Sequence, residues 1–174
     1  MGDLSPPPSA GQRIEVDPAL PAVRLPAELL HEVCRHAVLS DPEECCGLLV
    51  SQAERRYGAL VRCRNEMTRL HREDPEQYPR DGHSAYSMNE RDVLQVRAEA
   101  EREGEQVTAV YHSHVGAGAY LSPTDLQYAE HPLFPFPDAD QIVISVFEKA
   151  VGEQAVFQRV AGEWVGHRLE ADPA

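Results

Sequence analysis

The chain has 174 residues, within the usual range for a single core, and 42% of them are hydrophobic. Its 29 acidic and 16 basic side chains leave a net charge of −13, which argues against nucleic acid or an anionic membrane as a main partner. No basic-then-apolar leader and no apolar run of about 18 residues is present, so the expectation is a cytoplasmic chain that spans no membrane.

Residues 1 to 22 are rich in Pro, Ser and Gly and are expected to be disordered or loosely attached. The domain is then expected over 23 to 170, with a short tail from 171 to 174. A first helix is predicted from about Pro26 to Leu39, because Leu29, Leu30, Val33 and Ala37 form one apolar stripe. Strands are predicted at Cys46 to Ser51, Tyr57 to Cys63 and Ala85 to Met88. Between the last two, Glu66 to His83 is polar, holds two Pro and a Gly, and is too long for a routine connection, which marks it as a functional lid or a surface insertion. Asn89 should cap a second helix with Val93, Leu94, Val96 and Ala100 inward, stopped by Gly104. After a strand over Val107 to Tyr111 come a short helix from Pro123 to about Glu130, a Pro-rich connection, and an apolar strand from Gln141 to Phe147. Ala155 to Val160 and Trp164 to Leu169 close as a hairpin around Ala161-Gly162. Helices alternating with strands in this order give an α/β fold, a mixed β-sheet flanked by helices.

The chemistry concentrates around His112-Ser113-His114. In a strand, residues i and i+2 share a face, so His112 and His114 point to one place and Ser113 away from it. Ser122-Pro123-Thr124-Asp125 is a helix start, with Ser as cap, Pro at the first helical position and an acid in the first turn. The loop between, with Gly116 and Gly118, can fold Asp125 back to the histidines. Two imidazoles and a carboxylate are zinc ligands, and three protein groups with an open fourth position describe a catalytic site. The H-x-H pair alone arises by chance roughly 0.4 times in such a chain, but with Ser and Asp at fixed offsets the expectation drops to roughly 0.001.

A base is available upstream, where Glu43 and Glu44 precede the strand Cys46 to Ser51. A carboxylate beside a metal-activated water can take its proton and return it to a leaving amine, and Glu44 is preferred over Glu43. The four cysteines show no C-x-x-C spacing and are read as reduced, buried, small side chains in a cytoplasmic protein. Cys45 or Cys46 as a thiol nucleophile is the minor alternative.

Taken together, E-x-C-G-L-L from Glu44 to Leu49, then H-x-H, seven residues, and S-x-x-D ending at Asp125 resemble the JAMM (JAB/MPN) zinc metalloprotease family, over about Leu25 to His167. The resemblance implies the JAB/MPN, cytidine-deaminase-like architecture. It implies one Zn2+ held by His112, His114 and Asp125, with Glu44 as base and Ser122 supporting the oxyanion. It further implies a substrate bond at the C-terminal Gly-Gly of a ubiquitin-like protein, and the compact chain looks like the prokaryotic members that act on small sulfur-carrier proteins. Val115 and Leu121 stand where the family often has Pro; neither is a ligand. Competing readings are a non-catalytic scaffold of the same fold and a different H-x-H metal hydrolase, which would use more ligands and often two metals.

Overall fold

The structure, a computed structural model, describes residues 12–52 and 54–173. In chain order it comprises β1 (Val23–Leu25), α1 (Ala27–Ser40), β2 (Cys46–Ser51), β3 (Ala59–Cys63), α2 (Met67–Glu73), α3 (Glu90–Glu103), β4 (Gln106–Val115), α4 (Pro123–Ala129), β5 (Asp140–Phe147), β6 (Ala150–Val160) and β7 (Glu163–Ala171). The strands form one sheet in the order β1-β7-β6-β5-β4-β2-β3. β4 runs parallel to β5, and β1 parallel to β7; the other neighbours are antiparallel. This is the mixed α/β sheet that the sequence predicts.

Alternation along the strands divides the core into two faces. Leu49, Tyr111, Ile142 and Ile144 face α1, whose Leu29, Leu30, Val33 and Ala37 are buried as the stripe requires. Cys46, Leu48 and Val110 face the other way, toward Val96 and Ala100 of α3. On that second face Val143 and Phe157 pack with Leu126 of α4. His112 and His114 follow Val110 on β4 by the same two-residue step, so they emerge on the face carrying α3 and α4.

Several expectations are corrected by the tertiary structure. Residues 12–22 are not loosely attached: the Ile14 and Leu121 backbones exchange hydrogen bonds of 2.9 and 3.0 Å, and Asp17 N–H donates to Gly166 O at 2.9 Å. The remaining 1–11 lie outside the described residues. The segment Glu66 to His83 contains α2, a helix too polar to show an inward stripe. Ala85 to Met88 forms a single bridge, Met88 to Asn65, instead of a strand. Leu94 is 57% exposed, so α3 turns Val96 and Ala100 inward without it. β3 begins at Ala59, two residues after its expected start, and the Tyr57 hydroxyl donates to the Asp140 carboxylate. The expected turn at Ala161-Gly162 has positive φ at both residues, as a two-residue hairpin needs. A second such turn, Glu148-Lys149, carries none of the Gly or Asn that usually marks one, so β6 starts five residues before its predicted boundary.

Gly47 is required by packing. A Cβ there would lie 2.4 Å from the Tyr111 ring, whose hydroxyl is bonded to His36 Nδ1 at 2.7 Å. Gly47→Ala should therefore lower unfolding free energy by about 1–3 kcal/mol in urea titration, the usual cost of overpacking a filled core.

Candidate metal centre

The site grows out of the β2–β4–β5 register. Cys46 pairs with His112 across the antiparallel β2–β4 ladder. Ser113 N–H donates to Cys45 O at 3.2 Å, and the Ser113 hydroxyl accepts from Cys45 N–H at 2.7 Å on the opposite face. Continuing that ladder two residues sets Glu44 beside His114, on the same face as both histidines.

Asp125 arrives from α4. Ser122 Oγ accepts from Asp125 N–H at 3.0 Å, and Asp125 Oδ2 accepts from Ser122 N–H at 2.9 Å, which together make a capping box. The second of these bonds fixes the carboxylate as well as the helix. Asp125 Oδ2 then lies 3.2 Å from His114 Nε2, and Oδ1 lies 3.3 Å from His112 Nε2, while the two imidazole nitrogens are 3.2 Å apart. His112 is fully buried, His114 and Asp125 nearly so. These three residues could hold a metal ion.

Orientation comes from the surrounding contacts. His114 Nδ1 lies 2.9 Å from Gly118 O, a contact that only an N–H donor can make, so Nε2 is the nitrogen turned inward. Tyr86 stacks on His112 with ring centroids 4.5 Å apart, and Tyr120 packs on His114 at 4.9 Å. Neither tyrosine is marked by any spacing in the sequence. Burial disfavours a charge on His114, but its hydrogen bond to Asp125 and the charge of that carboxylate outweigh burial and hold its pKa above the ordinary value. Burial would likewise raise Asp125, yet the facing His112 and His114 hold it well below the usual carboxylate range. His112 is pushed down, chiefly by burial. The carboxylate that would share a metal with His114 thus also favours a proton on it.

Glu44 is 5% exposed, and its Oε2 has no hydrogen-bond partner. Burial raises its pKa to about 8; His114 and Arg80 pull it down, and Asp125 pushes it up. Glu43 is engaged elsewhere, accepting from the Thr68 hydroxyl at 2.5 Å. Glu44, His114, Ser122 and Asp125 line an open cleft of about 370 Å³. Its far wall is the 66–87 segment, including Tyr78, Arg80 and Tyr86. That segment is tied to the site, since Glu44 N–H donates to Gly82 O at 2.7 Å and the Asn65 side-chain amide donates to Glu44 O at 3.0 Å. His71 and His83 do not join the cluster: His71 Nδ1 lies 2.6 Å from Tyr78 O, and the His83 side chain is 54% exposed. The thiols are unsuited to nucleophilic attack, because burial pushes Cys45 up to about 12 and Cys46 well above its ordinary value.

Fold and site together define an α/β domain with a buried His-His-Asp cluster that could hold a metal ion, at the end of a parallel strand pair. Residues 26–160 match the model for prokaryotic homologs of the JAB domain, and the chain belongs to that family. A solution structure of a Desulfitobacterium hafniense protein superposes with a TM-score of 0.60 at 18% identity, covering 87% of this chain and 93% of that one. A Salinibacter ruber protein gives 0.55 at 25% identity, with 86% and 90% covered. No curated protein matches the chain. Among the described residues, no helix is long and apolar enough to cross a membrane.

Two outcomes are expected in solution. Divalent-metal binding should displace the His114 proton, so affinity should fall about tenfold per pH unit below the raised His114 pKa, with proton release visible by calorimetry in buffers of different ionisation enthalpy. In metal-free protein the raised Glu44 pKa makes the native state bind its proton more tightly than the unfolded chain does. The Glu44 contribution is then fully present below pH 4.5 and is lost as pH rises toward 8. Glu44→Gln should remove up to about 5 kcal/mol of this loss. Urea titrations with chelator should show the variant gaining on wild type at pH 8 and matching it near pH 4.5.

Proposed function

We propose that the protein is a zinc-dependent metalloprotease that hydrolyses an amide or isopeptide bond at the C-terminal Gly-Gly of a ubiquitin-like or sulfur-carrier protein in the cytoplasm. The observation carrying this reading is the convergence of His112, His114 and Asp125 beside an unpaired, buried Glu44 at one cleft. Tetrahedral coordination at zinc–nitrogen and zinc–oxygen lengths sets ligand atoms about 3.3 Å apart. The two Nε2 atoms lie 3.2 Å apart, and each lies 3.2 to 3.3 Å from one oxygen of the Asp125 carboxylate, close to that edge length.

Bound by these residues, zinc would supply Lewis-acid chemistry, activating water and polarising a carbonyl. Glu44 has the free oxygen needed to take the water's proton, and its burial tunes it toward the operating pH, where one group can both accept a proton and return it to the leaving amine. The Ser122 oxygen accepts from Asp125 N–H, which leaves its O–H free to donate to an oxyanion in the cleft. Asp125 and Gly118 O hold the His114 ring, and Tyr86 covers His112 from water. A Gly-Gly tail suits this site because a backbone without side chains can approach a buried centre closely.

The test is metal content and cleavage of a ubiquitin-like protein extended beyond its Gly-Gly. Wild type should hold one zinc per chain and cleave; His114→Ala should lose both. Glu44→Gln should keep zinc and lose kcat by about 10²–10⁴-fold. Glu44→Gln turnover within a few-fold of wild type would overturn the assignment, and two metals per chain would favour a different H-x-H hydrolase.

A further inference from the structure

The family match begins at residue 26, yet residues 13–17 touch the loop that carries the site. That loop, 115–121, links His114 to Ser122 and supplies the Gly118 carbonyl that orients the His114 ring. Of its apolar residues only Ala119 and Leu121 are fully buried, Val115, Ala117 and Tyr120 being half-buried, and Gly116 adopts a φ of 70°, so its shape depends on neighbours. From the sheet, Ser145 Oγ–H donates to Ala117 O at 2.8 Å, and Glu153 accepts from Ala119 N–H at 3.0 Å. Gly116 N–H also donates to Val146 O of β5 at 2.8 Å, and further ties come from the N-terminal segment. Ile14 N–H donates to Leu121 O at 2.9 Å, and Leu121 N–H donates back at 3.0 Å. The Ile14 and Val16 side chains pack against the cluster that contains Ala119 and Leu121. The Arg13 guanidinium lies 4.3 Å from the centroid of the Tyr120 ring, the ring that packs on His114.

We propose that residues 13–17 are a positioning strap of the functional site. They hold Tyr120 and Leu121 so that His114 and Ser122 stay in place for metal binding, and they lie outside the residues that match the family model. Asp17 N–H on Gly166 O anchors the far end of the strap to β7, where a Cβ on Gly166 would lie 2.5 Å from Glu15 O. Arg13 acts through Tyr120 and Ile14 through Leu121, so both are positioning residues.

The inference rests on the metal-site reading for its consequence, but its first test is independent of metal. In the full chain, Arg13→Ala combined with Ile14→Pro removes the cation–π contact and one donor of the bridge. Leu30→Ala, in the core on the opposite face of the sheet, serves as the comparison variant, with the stability loss of both variants measured by urea titration. With chelator present, amide exchange at Gly118 to Leu121 should accelerate at least tenfold more in the strap variant than in Leu30→Ala. Zinc affinity, measured by competition with a chromophoric chelator, should weaken about tenfold in the strap variant and stay within twofold in Leu30→Ala. Exchange and affinity that simply follow global stability, equally in both variants, would overturn the strap. Failure of the peptidase reading would instead appear as absence of cleavage by the intact chain.

Discussion

Two imidazole nitrogens and a carboxylate, all removed from water, are held within 3.3 Å of one another, and much of the molecule serves to keep them there. Such groups would ordinarily be hydrated, and burying them together is tolerable only when a cation or a proton sits among them. The Asp125 carboxylate holds the His114 pKa above its ordinary value, so the same geometry that could hold a metal also favours a proton there. Protons and a metal would therefore compete for this site.

Each donor is fixed by an ordinary element of secondary structure. Strand alternation aims the histidines, the β2–β4 ladder brings Glu44 to the same face, and the capping box of α4 aims Asp125. Glu44 carries the main cost: a carboxylate kept from water with one oxygen unpaired destabilises the native state at neutral pH. Under the proposed reading this liability is the cost of placing a proton-transfer group with its pKa near the working pH.

The loop between His114 and Ser122 is the least self-supporting part of the site. It is held from three directions, by His114 itself, by Ser145 and Glu153 of the sheet, and by the N-terminal segment. Opposite it, the 66–87 segment walls the cleft and is fastened to the Glu44 backbone through Gly82 and Asn65. The two sides of the cleft thus meet the same short stretch of strand edge, Glu44 and His114, from opposite directions.

The convergence of His112, His114 and Asp125 was legible in the sequence because it rests on local rules. A period of two sets the histidine face, and S-P-x-D sets a helix start whose third position turns back to its cap. The apolar stripe of α1, the Asn89 cap of α3 and the Ala161-Gly162 turn were legible for the same reason. Tertiary structure alone decided what depends on partners distant in the chain. Residues 13–17, part of a stretch expected to be loose, are ordered because Leu121 and Gly166 offer them backbone groups and an apolar seat. Glu148-Lys149 became a tight hairpin although neither residue favours positive φ. Tyr86 and Tyr120 became the walls of the two imidazoles only once the sheet had brought them together. Periodicity and capping act over a few residues and can be read along the chain, whereas burial, register and the pKa of Glu44 arise from side chains that meet only in the folded molecule.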